Sequence, residues 1–114
     1  MKTFKSLHPN SKNKVNLEEI IRIEADINYS HLVLSSGNKL IIARTLKSYE
    51  KDLSSPFLRV NKSCMINMHF LKSDSIGQES HQIIRLTDGF ETAVSRRRIN
   101  KVVDAISRYS ENNN

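Results

Sequence analysis

The 114 residues contain one cysteine, Cys64. An internal disulfide is therefore excluded, and with it the disulfide-stapled secreted folds; a cytoplasmic location is expected. Glycine is scarce too: Gly37, Gly77 and Gly89 each suit a turn, so no phosphate-cradling loop can be drawn. With only 2 prolines besides, a low-complexity or fibrous chain is excluded. Apolar runs stop at three or four residues, too short to span a membrane, and no charged-then-apolar leader opens the chain. His8, His31, His69 and His81 lack the close spacing of a metal pair, and none lies within four residues of Cys64. Cys64 itself sits in an apolar run, the setting of a small buried residue rather than a reactive thiol. No nucleophile elbow or oxyanion glycine cluster accompanies the Ser, His and Asp residues. The expectation is a protein that is not an enzyme and needs no metal or cofactor.

What is present is positive charge, unevenly placed. Lys and Arg number 18 against 12 Asp and Glu, a net +6. Residues 1–16 hold Lys2, Lys5, Lys12 and Lys14 without an acid; residues 55–73 hold Arg59, Lys62 and Lys72; residues 92–103 hold Arg96, Arg97, Arg98 and Lys101. The intervening chain is net acidic. One such cluster is ordinarily a solvated face. Three acid-free segments imply a surface sorted by sign and a polyanion partner, nucleic acid ahead of anionic lipid.

Residues 1–16 read as a basic arm, either a short strand plus loop or a loose segment. From Leu17 the texture is β: Ile20, Ile21 and Ile23, then Leu32 to Leu34, a turn at Ser35-Ser36-Gly37-Asn38, and Leu40 to Ile42. Thr45 can cap a helix whose face is Leu46, Tyr49 and Leu53, with Pro56 as its stop. Phe57 to Val60 is a short strand, and residues 64–71 fit either a buried helical turn or a strand. Asp88-Gly89 between two β runs marks a second hairpin. Ile99, Val102, Val103 and Ile106 then share a helical face, with Ser95 placed as its cap. The expected architecture is mainly β (a β-rich α+β fold) with two short helices, one domain over residues 17–108, and a disordered polar tail at 109–114. Its core draws on Ile20, Ile23, Leu32, Leu34, Ile41, Leu46, Phe57, Ile66, Ile84, Leu86 and Val94.

Two segments join order to charge. In Phe57 to Met68, Arg59 and Lys62 project from apolar anchors, while Ser63 and Asn67 are expected to bond backbone within a turn rather than touch DNA. In Ala93 to Arg98, three successive arginines at a strand-to-helix junction point in different directions, so one or two can face a given partner. The free N–H groups of the helix start suit a phosphate.

Ile21-Arg22-Ile23-Glu24-Ala25 with Asn28-Tyr29-Ser30, the hairpin from Leu32 to Ile42, and Thr45-Leu46-Lys47 come first. Phe57 to Ser63 with Ile66-Asn67, then Asp88-Gly89 and Val94 to Arg97, complete a series that resembles the LytTR DNA-binding domain of LytR/AlgR-type bacterial response regulators. The likeness spans residues 17–107 and is most specific from Phe57 to Asn67. It departs at Asn61, where the family usually has His, and at Cys64, where it usually has an aromatic. No receiver domain precedes residue 17; Met1 and the basic arm favour a free-standing regulator over an excised output domain.

The resemblance implies an elongated multi-stranded antiparallel fold lying along DNA, with loops in successive major grooves rather than a recognition helix. It implies base contacts from Ser30 or His31, from Lys62 and from Arg97, with His31 equally an ordinary loop residue and Lys62 equally a phosphate ligand. Arg59, Asn61, Lys72, Arg96, Arg98 and Lys101 are the expected phosphate contacts, which position without specifying. Paired direct repeats and a weak homodimer on DNA are its further implications, while a regulatory protein partner belongs to the second of the rivals below. Two rivals stand beside it. A nonspecific nucleic-acid module wants more exposed aromatics than the 6% here. A sequestering protein-interaction domain without its own DNA target is the other.

Overall fold

The structure is a computed structural model and describes residues 3–4, 15–72 and 82–112. Lys2, Lys5, Lys12, Lys14, His8, His81 and Gly77 lie outside these. Of the N-terminal arm, Thr3–Phe4 (β1) pairs antiparallel with Val15–Asn16 (β2), the strand reading of the two.

The centre is a five-stranded antiparallel sheet in the order β5-β4-β3-β7-β6. Its strands are Ile20–Asp26 (β3), Tyr29–Leu34 (β4), Lys39–Ile42 (β5), Phe57–Asn61 (β6) and Cys64–Asn67 (β7). A 3-10 turn, Leu17–Glu19, leads in, with the Asn16 side chain accepting from the Glu18 N–H at 3.0 Å. The β-branched run at Ile20 favours a strand, but strict alternation would put Ile20 and Ile23 on opposite faces. A register shift between Ile20 and Arg22 resolves this. Ile20 and Ile23 face one layer of core and Ile21 the other, all three buried.

The first layer is the helix Leu46–Asp52 (α1), capped as expected by Thr45, whose Oγ1 accepts from the Ser48 N–H at 3.3 Å. It packs Leu46 and Tyr49 against Ile20, Ile23, Leu32 and Met65. The second layer is the hairpin Ile83–Arg85 (β8) and Glu91–Ala93 (β9) with the helix Ile99–Asn112 (α2). Ile84, Leu86, Val102 and Ile106 pack there on Ile21, Val60, Cys64 and Ile66. Full burial of each such aliphatic side chain stabilises by about 1.5–3 kcal/mol. With extents of 43 × 29 × 24 Å the molecule is elongated.

Four expectations change. Residues 64–71 combine both readings, a strand through Asn67 and then a 3-10 turn, Met68–Phe70. Ile41 is 63% exposed rather than core, because the second layer covers β3, β7 and β6 and stops short of edge strand β5. The tail expected from residue 109 is helical through Asn112. Tyr109 carries α2 onward: its hydroxyl contacts Nδ1 of His69, and the two rings meet edge-on at 5.3 Å. Ser95 makes no capping hydrogen bond, and the chain enters α2 through a 3-10 turn, Arg96–Arg98.

Candidate nucleic-acid interface

Antiparallel pairing brings alternate loops to one end of a sheet. The β3–β4 tip, Ile27-Asn28, and the β6–β7 tip, Lys62-Ser63, lie at the same end because Glu24 stands opposite Cys64. The Ala25 N–H donates to the Ser63 carbonyl at 2.9 Å, joining the two tips directly. A third loop is fastened beside them. The Ser95 N–H donates to the Val60 carbonyl at 3.0 Å. A register shift between Arg59 and Asn61 leaves Asn61 opposite Cys64, on the side of β9. The Asn61 amide donates from Nδ2 to Thr92 Oγ1 at 2.9 Å and to the Ala93 carbonyl at 2.6 Å. The 3-10 turn Arg96–Arg98 is thereby held against the β6–β7 tip. Arg59, Lys62, Ser95, Arg97 and Arg98 line one cleft of about 390 Å³.

The cations of this cleft divide into two kinds. Arg59 and Arg98 turn inward onto Glu50 of α1, at 3.1 and 3.3 Å, with side chains only 15% and 12% exposed. Burial alone would raise the Glu50 carboxyl. The hydrogen bond from Arg59 and the charges of Arg98, Arg59 and Lys101 outweigh it and hold the group below the usual carboxylate range. Lys62, Arg96 and Arg97 are exposed, and Lys62 and Arg97 present cations in the cleft. A larger hollow of about 510 Å³ adjoins Pro56 and Phe57 at the opposite end of β6. Glu18 and Asp52 line it without Lys or Arg, so it does not suit a polyanion. No helix is long and apolar enough to cross a membrane among the described residues.

The family model of the LytTr DNA-binding domain matches residues 11–107. The chain belongs to this family. A solved structure from Bacillus cereus, the LytTr DNA-binding domain of a protein assigned as a methyl-accepting/DNA response regulator, superposes with a TM-score of 0.70. It shares 16% identity and covers 93% of this chain and 95% of its own, a likeness of fold. A search of curated proteins finds no match. The chain is thus a LytTr DNA-binding domain of the kind that serves transcription regulation.

Several site residues expected from the sequence do other work in this LytTr domain. Ser30 is fully buried, and its hydroxyl donates to the Arg44 carbonyl at 2.6 Å, so it offers no base contact. His31 lies within β4 rather than in a loop, and its Nε2 is 3.0 Å from Asp26 Oδ2. The loop is Ile27-Asn28, ahead of the Ser30 and His31 positions that the resemblance implies. Asn61 has no amide hydrogen left for a phosphate. Both are given to β9, and its Oδ1 accepts from the Ser63 N–H at 2.8 Å. Arg59 and Arg98 serve Glu50 before any external anion. Lys72 is exposed but not a cleft residue, its N–H donating to the Arg85 carbonyl at 3.0 Å. Lys101 is exposed in the first turn of α2, in a smaller hollow with Glu50 and Arg59.

Two residues that sequence reasoning overlooks complete the arrangement. Glu50 reaches partners 9 and 48 residues away, which no local pattern signals. Arg22 ties the β8–β9 turn to the sheet. It pairs with Asp88 at 2.6 Å and Glu24 at 3.1 Å, and its guanidinium lies 3.9 Å from the Phe90 ring centroid. Asn67 is fully buried and bonds as expected, donating to the Ile20 carbonyl at 2.8 Å and accepting from the His69 N–H at 2.9 Å. Cys64 is buried as expected. Desolvation first, and Glu24 second, push its thiol up to about 12, with Arg22 opposing.

Proposed function

We propose that this domain reads specific sequences of double-stranded DNA through loops in successive major grooves, as the DNA-contacting part of a bacterial transcriptional regulator. The observation that carries the reading is the shared cleft of Lys62 and Arg97, two exposed cations distant in sequence. Each hairpin tip is a two-stranded ribbon of the kind that a major groove of about 12 Å admits. An arginine there can bind guanine O6 and N7 with both arms, worth about 1–3 kcal/mol of discrimination, and Lys62 can join a base or a phosphate. Arg96, Lys101 and Lys72 are proposed to hold phosphates, fixing orientation and making affinity fall with salt. The reading includes no catalytic step and no cofactor. It includes a cytoplasmic setting, paired direct repeats as target, and two copies meeting weakly on one DNA.

Selection of bound oligonucleotides from a random duplex pool tests it. Enrichment of a motif repeated at a fixed spacing is the expected result. Equal retention of any duplex, or no binding at low salt, overturns it.

A further inference from the structure

The tip of the β3–β4 hairpin has no task inside the fold. Ile27 is 89% exposed, with φ at +56°. Asp26 and Tyr29 close a loop of two residues, Ile27 and Asn28. Loops of this length ordinarily place Gly, Asn or Asp where φ is positive, since a β-branched side chain there is strained. The monomer gains no burial from this isoleucine, and a glycine would relieve the backbone. A strained apolar side chain held in water is a mark of use outside the monomer.

Its surroundings name the partner. The Ala25–Ser63 backbone bond sets this tip beside Lys62, on the end of the sheet that carries the exposed cations. The nearest carboxylate, Asp26, is engaged by His31 down the strand. A polyanion drawn to Lys62 and Arg97 therefore brings its groove up to Ile27. An isoleucine can bond neither phosphate nor base edge. The apolar group that the major groove displays is the C5-methyl of thymine.

We infer that Ile27 is a specificity-determining residue whose side chain packs on the methyl of one thymine, next to the base pairs met by Lys62. The inference rests on the DNA reading above and adds to it a preference that no cation can supply.

The test uses the selected duplex with each thymine replaced in turn by deoxyuridine, which removes the methyl and leaves the hydrogen-bonding edge intact. The unmodified chain is expected to lose about four-fold in affinity at one replaced position, the worth of one buried carbon. Ile27→Gly is expected to bind the thymine and uracil duplexes equally, while its thermal midpoint stays level or rises. Ile27→Val is expected to retain part of the methyl preference. Sequence-selective binding in which no replacement matters, or in which Ile27→Gly responds as the unmodified chain does, overturns this inference alone. Failure to select any duplex overturns the DNA reading beneath it.

Discussion

Arg59 donates through its guanidinium to the backbone carbonyl of Lys62 at 2.9 Å, while its other arm holds Glu50. One cation is thus committed to shaping the turn from which another projects. A side chain on a flexible tip loses more entropy on binding than one on a fixed tip. Arg59→Ala is expected to lower the unfolding free energy by about 1–3 kcal/mol and to weaken DNA binding, although Lys62 and Arg97 remain. Arg59→Lys keeps the charge but not the fork, and is expected to recover little of either. Urea unfolding read alongside gel shifts checks both; full activity in Arg59→Lys would show that charge alone matters.

On the proposed reading, Arg97 specifies the duplex and Lys72 only attracts it. Arg97→Ala is expected to lose discrimination between duplexes in a competition assay. Lys72→Ala is expected to weaken all duplexes about equally and to reduce the salt slope by ~1. Unchanged preference in Arg97→Ala would reassign the base contact, with Arg96 the next side chain to test.

Glu50 gives the fold an acid-sensitive point beneath Arg59 and Arg98. Its folded pKa lies below the ordinary value of 4.5. The stabilisation is therefore fully present above 4.5 and is lost as pH falls through the lower folded value. Glu50→Gln is expected to reduce stability at neutral pH and to flatten its decline on acidification. Thermal midpoints from about pH 7 down to pH 3 measure this, and parallel curves for both proteins would exclude the Glu50 contribution.

Asn67 is a buried polar hub whose loss orphans the Ile20 carbonyl and the His69 N–H. Asn67→Ala is expected to cost about 1–3 kcal/mol for each group left without a partner. Chemical denaturation gives the value; a change within ±0.5 kcal/mol, the range of ordinary surface substitutions, would show that other partners take over.

Cys64 has its thiol pushed up to about 12, with desolvation the chief cause. It is expected to resist alkylation by iodoacetamide at about pH 8 in the folded chain and to react once urea unfolds it. Rapid labelling of the native protein would show that the β7 layer opens.

The elements legible in the sequence are those with local punctuation. Gly37 and Asp88-Gly89 mark their hairpins, with positive φ at Gly37 and Gly89, and Thr45 starts its helix. The bulges at Ile21 and Val60 are not legible, because the alternation that reveals a strand is the very rule they break. The family resemblance puts Ser30 and His31 at loop positions, whereas the chain turns at Ile27, against the local preference of isoleucine. The second and third charge clusters meet in the fold, where Lys62 and Arg97 share one cleft. Which arginines are free and which are tethered depended on Glu50, whose partners only tertiary structure brings near.

The side chains proposed to read DNA, Ile27, Lys62 and Arg97, all stand outside both buried clusters. Proposed recognition and folding thereby fall on separate side chains. On the proposed reading, exchanging these three side chains would change the preferred duplex while leaving both buried clusters unaltered.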